Sequence, residues 1–349
     1  MNSPAAHEEQ LVSREDPGIS WVLQSQDPSV RYFTLTELAG KPRDSPEVEK
    51  ARRQIPKGSR FQTLLKGQRS DGGFGVHPYQ KWTGAHWRLV SLVELGALPG
   101  FQPAVKATKL DLKWLETHLG NVPQINGLYR RCASQEGNAL AVCSRLGMAR
   151  DIRVQRLAES LISWQWPDGG WNCDRKPDAH HSSFNESLST LWGMTEYARA
   201  TGDGSAVKSA DRAAEFFLRH RLFRSCKTGK VRPPETFHSK MHRGVHSFTE
   251  LHYPLYWHYD ILQALIALQR AGKLGDPRTK EAIDLVELKR GVDGLWRPEG
   301  YYWNLKRKMR SKLATSNVEI VDWGRNAPNE MLTLNALRIL KAAGRIEQN

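Results

Sequence analysis

One stretch, Trp164-Gln165-Trp166-Pro167-Asp168-Gly169-Gly170-Trp171-Asn172-Cys173, constrains the fold more than any other feature, because weaker copies recur and each joins two apolar helical segments. Its glycines can take positive φ, Asp168 can close an Asx turn on its own backbone, and Trp171 can fold back as an apolar plug. The stretch reads as a rigid helix-to-helix corner. Gln68-Arg69-Ser70-Asp71-Gly72-Gly73-Phe74 repeats it almost residue for residue. Asn126-Gly127-Leu128-Tyr129 and Asp293-Gly294-Leu295-Trp296 keep the turn residue, the glycine and the terminal aromatic.

Between the corners, apolar residues recur at helical spacing. The pattern predicts helices over 82–95 and 103–119, 134–146 and 151–164, 182–200 and 206–221, 255–270 and 276–289, and a last apolar helix over 328–343, with no convincing strand. One helix of each pair is apolar nearly all round, as at 188–194, 261–268 and 331–340, whereas its partner is amphipathic and charged outside. Fully apolar helices sit inside and amphipathic ones ring them. Six pairs, with the last helix closing on the N-terminal ones, predict an all-α (α/α)6 barrel, a toroid of six inner and six outer helices; an open solenoid would share the period. The expected organisation is a frayed leader over 1–16 and a single toroid domain over 17–345, with a long loop at 229–254 and a basic loop at 303–316.

No apolar run in the 349 residues approaches the roughly 20 that cross a bilayer. Residues 1–15 are polar and acidic without an apolar core, unlike a secretory or transit peptide, so a cytoplasmic location is expected. Cys132, Cys143, Cys173 and Cys226 are too few and scattered for a disulfide scaffold and read as thiols or ligands. The formal charge of +14 predicts attraction to polyanions, phosphate groups or an anionic lipid surface. The densest basic run, residues 306–312, lacks the interleaved aromatics of a single-strand platform and reads as a solvated loop or as a phosphate or nucleic-acid contact.

Polar residues cluster where the inner helices are expected to begin: Thr83 and His86, Cys132 and Asn138, His180 to Glu186, His258 and Asp260, Asn329 and Glu330. Helix starts carry partial positive charge and unpaired N–H groups, so six around one hollow would favour an anionic ligand, although the same residues serve as caps. His86, Asn138, Trp82, Phe184, Trp257 and Glu330 are the candidate pocket residues; aromatics at this spacing also fill cores. Cys173, Asp178, His180, His181 and His258 are ligand types that zinc prefers, and three of them would leave one position open. Without a metal, His258 with Asp260 or Glu186 could act as general acid and base. His238, His242, His246 and His252 mark a candidate lid.

The glutamine-Asp-Gly-Gly-aromatic corner and the sixfold pairing resemble the squalene/hopene cyclase and protein prenyltransferase β-subunit superfamily over about residues 19 to 345. The resemblance implies an α/α toroid acting on isoprenoid substrates. The chain lacks the Asp-x-Asp-Asp acid motif of class II terpene cyclases. The zinc ligands of protein prenyltransferases are an Asp-x-Cys after such a corner and a His at the start of the next inner helix; here Asp178-Ala179-His180 follows the Gly169-Gly170-Trp171 corner, with histidine in the thiol position, and His258 starts the next inner helix in Trp257-His258-Tyr259-Asp260.

The expected function is that of a terpenoid-cyclase or prenyltransferase-like enzyme that binds an isoprenoid or phosphorylated small molecule in a central cavity, with zinc as the candidate metal. Two rivals stand beside it. One is a non-catalytic module whose basic surface holds nucleic acid, anionic lipid in peripheral contact, or an acidic protein. The other is a polysaccharide-processing toroid working through Glu186 and Asp260.

Overall fold

The computed structural model describes residues 16–237, 244–305 and 318–346, which are mostly helical. Residues 1–15 of the leader, His238, His242 and the basic run 306–312 lie outside the described residues, while Asp16 of the leader caps the first helix. Helices α1 (Pro17–Leu23), α2 (Pro28–Phe33), α3 (Pro46–Gln54) and α4 (Ser59–Leu65) precede the first corner. The repeating pairs then follow: α5 (Ala85–Glu94) with α6 (Gln102–Leu119), α7 (Ser134–Arg145) with α8 (Ile152–Trp164), and α9 (Phe184–Thr201) with α10 (Gly204–Arg219). The chain ends with α11 (Ile261–Arg270), α12 (Lys280–Leu288) and α13 (Glu330–Ala342).

Local chemistry starts most of these helices. Asp16, Asp27, Asp151, Ser183, Asp203, Asp260 and Asn329 each accept a hydrogen bond from a backbone N–H of the first turn, satisfying a donor that the helix leaves unpaired. The expected alternation of burial is present. Helices α5, α7, α9, α11 and α13 are buried nearly all round, while α6, α8, α10 and α12 bury one stripe. Helix α7 packs on α5 and α9, α11 on α9 and α13, and α13 returns to α1 and α2. The last turns of α5, α7, α9, α11 and α13 line one hollow, so these five helices run the same way.

The corners are cross-braced. Gln165 donates to the carbonyls of Gly169 at 2.7 Å and Ser209 at 2.9 Å; Gln68 makes the same two bonds, to Gly72 at 3.0 Å and Pro103 at 2.8 Å. Each glutamine thus ties its own corner to the next outer helix. Trp171 donates its indole N–H to the Leu161 carbonyl at 2.8 Å and Trp296 to that of Val286 at 2.7 Å, ten residues back in both cases. Gly169 has φ of +105°, and a Cβ there would stand 2.3 Å from the Arg212 carbonyl oxygen, which accounts for glycine.

Three expectations change. Asp71 accepts from the Gly73 N–H as an Asx turn should, but Asp168 instead accepts from the backbone and hydroxyl of Ser182, pinning the following loop. The second corner is a hairpin: strands Gln124–Ile125 and Leu128–Tyr129 pair around Asn126-Gly127, both at positive φ, as Asn-Gly favours. Two more short strand pairs join Glu235–Phe237 to Gly244–His246 and Asn304–Leu305 to Val318–Glu319. The helix expected from 255 begins only at Ile261. Residues 251–259 form an irregular segment that sets Tyr256 on Trp82, ring centroids 3.9 Å apart and nearly parallel.

Candidate functional site

A close helix contact builds the site. Helices α7 and α9 meet at glycines: a Cβ on Gly137 would lie 2.6 Å from the Thr190 Cα, and one on Gly193 would lie 2.3 Å from the Gly137 carbonyl oxygen. This contact carries the start of α9 to the start of α7, where the Glu186 carboxylate accepts the Ser134 N–H at 2.9 Å. Thr190 donates to the Ala133 carbonyl at 3.1 Å, and the Arg131 N–H donates to the Asn172 carbonyl at 3.1 Å, joining the loop before α7 to the loop after the third corner. Those two loops bring Cys132 and Cys173 together.

The Cys132 and Cys173 sulfurs and a Glu186 oxygen all lie within 4.8 Å of one another, with Cys173 Sγ 3.5 Å from Glu186 Oε1. The surroundings of Cys173 and Glu186 are unfavourable to charge. The hydrogen bond with Cys132, burial and the nearby Glu186 carboxylate push the Cys173 thiol well up from its usual value, and burial pushes the Glu186 carboxyl up. Glu136 lies close enough to add repulsion, although it is held by Arg131, whose Nε donates to it at 2.9 Å. Burial, with Glu186 next, also raises the Tyr79 phenol, which hydrogen-bonds Gln135 beside the cluster. Lys81 stands near Cys132; burial pulls its ammonium down to about 8, and its Nζ lies 4.7 Å from the centre of the Trp257 ring. Two thiols, a carboxyl, a phenol and an easily deprotonated amine therefore converge.

The ligand set expected from the sequence does not assemble. Cys173 belongs to the cluster, but among the described residues Asp178, His180 and His181 stand exposed on the loop between the corner and α9, and His258 is not one of the converging ligands. His180 and His181 lie against each other, ring centroids 3.9 Å apart. His258 is buried in a stack, its ring 3.9 Å from Trp257 and 3.4 Å from Tyr302. The expected His258–Asp260 pairing is replaced: the Asp260 carboxylate takes the His252 ring at 3.0 Å, the His252 N–H and the Gln263 N–H. Glu186 is bound to Ser134 and Cys173, so it and Asp260 each serve a separate local network. His246 pairs with Glu250 and packs on Tyr302.

The candidate pocket residues are mostly core. His86 pairs with Asp111 at 3.0 Å, both buried; Trp82 stacks on Tyr256; Phe184 sits among Phe216, Phe217, Phe248 and Tyr259. Glu330 binds Arg60 at 2.8 Å and accepts from Ser25. Asn138 borders an internal void of about 20 Å³ walled by Leu188, Trp192, Tyr256 and Gln263, too small for an isoprenoid chain unless the wall moves. Sequence position marks Cys132 as a polar helix-start residue without placing it in the ligand set; its partner Cys173, 41 residues on, becomes adjacent only through the α7–α9 contact. Tyr79 and Lys81 carry no motif, and only their place before an inner helix singles out that stretch.

No family model matches the chain, and no curated protein matches it. Among solved structures, a crystal structure of a protein from Actinoplanes aligns with 94% of this chain and 98% of its own, at a TM-score of 0.43 and 17% identity. No helix among the described residues is long and apolar enough to cross a membrane.

Proposed function

We propose that the chain is a metal-dependent enzyme in which Cys132, Cys173 and Glu186 hold a zinc ion on an α/α toroid, the architecture shared by the prenyltransferase-like proteins that its corners resemble. The observation that carries this reading is the convergence of three acidic ligand atoms within 4.8 Å in a half-buried place. Tetrahedral bond lengths of about 2.3 Å to sulfur and 2.0 Å to oxygen imply a sulfur-to-oxygen edge of about 3.5 Å, and Cys173 Sγ to Glu186 Oε1 is 3.5 Å. Burial and mutual repulsion work against ionising Cys173 and Glu186, and a divalent cation reverses that balance by taking them as anions. Support for the toroid comes from the five co-directed buried helices and the return of α13 to α1 and α2.

Three protein ligands leave a fourth position. A zinc ion there supplies Lewis acidity and lowers the pKa of a bound water or thiol. The chain's own residues supply the rest. Lys81, drawn down to about 8 by burial, would accept and return a proton near neutral pH beside Cys132. Tyr79 stays protonated and donates a hydrogen bond to charge that develops on the substrate. The Ser134 N–H fixes one Glu186 oxygen and leaves the other, Oε1, turned toward Cys173. The isoprenoid substrate implied by the resemblance would have to reach this site from the surface beside Lys81 and Trp257 or displace the Leu255-Tyr256 segment from the central void.

The test is elemental analysis of protein produced with zinc, followed by cobalt substitution. The expected result is one zinc per chain, cobalt-to-thiolate charge-transfer absorption in the near ultraviolet, and loss of both in Cys132→Ser and Cys173→Ser variants that retain their helical circular dichroism. Folded wild-type protein that takes up neither metal would remove the proposal.

A further inference from the structure

A large hollow lies at the other end of the same helices. It encloses about 730 Å³ and is lined by the last turns of α5, α7, α9, α11 and α13 together with α2, the turn after it and α3. Glu186 and Glu196 are ten residues apart on α9, so the hollow lies about 15 Å from the cysteine cluster along that helix. Six arginines line it, Arg43, Arg52, Arg145, Arg199, Arg270 and Arg338, against the three glutamates Glu37, Glu94 and Glu196.

The glutamates are largely committed. Glu37 pairs with Arg338 at 2.7 Å; Glu196 accepts the Trp192 indole N–H at 3.3 Å and lies 3.5 Å from Arg199; Glu94 accepts the Tyr253 hydroxyl at 3.4 Å. Burial raises Glu94 toward its neutral form, which weakens the compensation further. Arg145 and Arg270 are half-buried in its wall, and among the described residues no carboxylate oxygen lies within ion-pair distance of either guanidinium. Burial, with Arg145 next, pulls Arg270 down to about 10, and burial lowers Arg338, with Arg145 adding repulsion. Like charges are thus gathered in a concave place with too few counter-charges.

Arginines in a last helical turn also complement the carbonyl end of a helix, as Arg199 does through the Arg270 carbonyl at 2.8 Å. That role needs one cation at each end and gives no reason for several to face one hollow. We propose that this arginine-lined hollow binds a small, multiply charged oxyanion, with the guanidinium forks of Arg145 and Arg270 taking its phosphate or carboxylate groups. Planar forks suit both groups in bidentate pairs. The volume admits a molecule the size of a nucleotide or a sugar phosphate, and Tyr32, Phe33, Ile55 and Ile266 offer apolar wall to its uncharged part.

The test is calorimetric titration of the full chain with pyrophosphate and with citrate, which separates phosphate from carboxylate preference, on wild type, Arg145→Gln, Arg270→Gln and a control, Lys113→Gln/Lys208→Gln, that removes two exposed charges elsewhere. The expected result is one saturable site for at least one probe, weakened tenfold or more by each arginine variant and unchanged in the control. Thermal unfolding without ligand should be unaltered or raised in Arg270→Gln, because a repelled cation has been removed. Absence of saturable binding by both probes, or equal weakening in the control, would overturn the proposal. Metal content is untouched by either arginine variant, so this outcome and that of the cysteine site are read separately.

Discussion

The Cys173 sulfur lies 3.5 Å from Glu186 Oε1 because two glycines, Gly137 and Gly193, let α7 and α9 touch backbone to backbone. The site is therefore set by helix packing rather than by its own loops. A methyl group on Gly193 would meet the Gly137 carbonyl oxygen at 2.3 Å, and both atoms belong to helices that cannot yield locally. Gly193→Ala should destabilise the fold by about 3 kcal/mol or more and, in the folded fraction, separate Ser134 from Glu186. Urea unfolding measures the first effect. Zinc content per folded chain measures the second, and an unchanged zinc affinity would show that the loops hold the ligands unaided.

Lys81 offers a second measurement that needs no substrate. Burial brings its ammonium down to about 8, while a Cys132 thiolate opposes that shift. In metal-free protein, competitive acetylation followed by peptide mapping should show Lys81 reacting as an amine half-deprotonated near pH 8, against about 10.4 for an unperturbed lysine side chain. Cys132→Ser should move Lys81 lower still, because it removes a neighbouring negative charge. A shift in the opposite direction would place the amine away from Cys132.

The corners show how much of the architecture the sequence made legible. Gln68 and Gln165 head two nearly identical stretches, and each makes the same pair of bonds, to its own corner and to the next outer helix. The periodicity between corners likewise separated buried from one-sided helices, because a buried helix must be apolar all round. Replacing the carboxamide leaves two carbonyls without these donors. Gln165→Leu and Gln68→Leu should each cost about 2 kcal/mol, with similar values because the geometry repeats. A large difference between them in chemical denaturation would mean that only one corner holds its helix pair in register.

The site was less legible, for reasons particular to its residues. His180, His181 and Asp178 follow a corner and resemble a ligand run, yet the Ser182 bonds to Asp168 anchor the end of that loop and leave the three exposed. His258 precedes α11 and invites pairing with Asp260, but the irregular segment before it turns the ring into an aromatic stack and delivers His252 to the carboxylate instead. Spacing along the chain does not encode such a turn. The arginines of the opposite hollow were invisible for a related reason: each looks like an ordinary helix-end cation until five helices are seen to finish in one place.

Glu319 gives the pH dependence of stability a definite sign. Its carboxylate accepts the Ile320 N–H at 2.6 Å and the Val321 N–H at 3.0 Å, but burial outweighs these bonds and the distant attraction of Arg88 and raises it to about 7. Arg88 is itself occupied by the carbonyls of Thr83, Leu64 and Lys66. With the folded value above the unfolded one, the contribution of this carboxyl is fully present below about pH 4.5 and is lost as pH rises through about 7. The loss should approach about 3 kcal/mol by pH 8, since a tenfold change in proton affinity between the folded and unfolded chain is worth about 1.4 kcal/mol. Glu319→Gln keeps the shape and cannot ionise, so its unfolding free energy minus that of wild type should grow between pH 5 and 8. A difference that stays flat across that range would place the buried charge elsewhere.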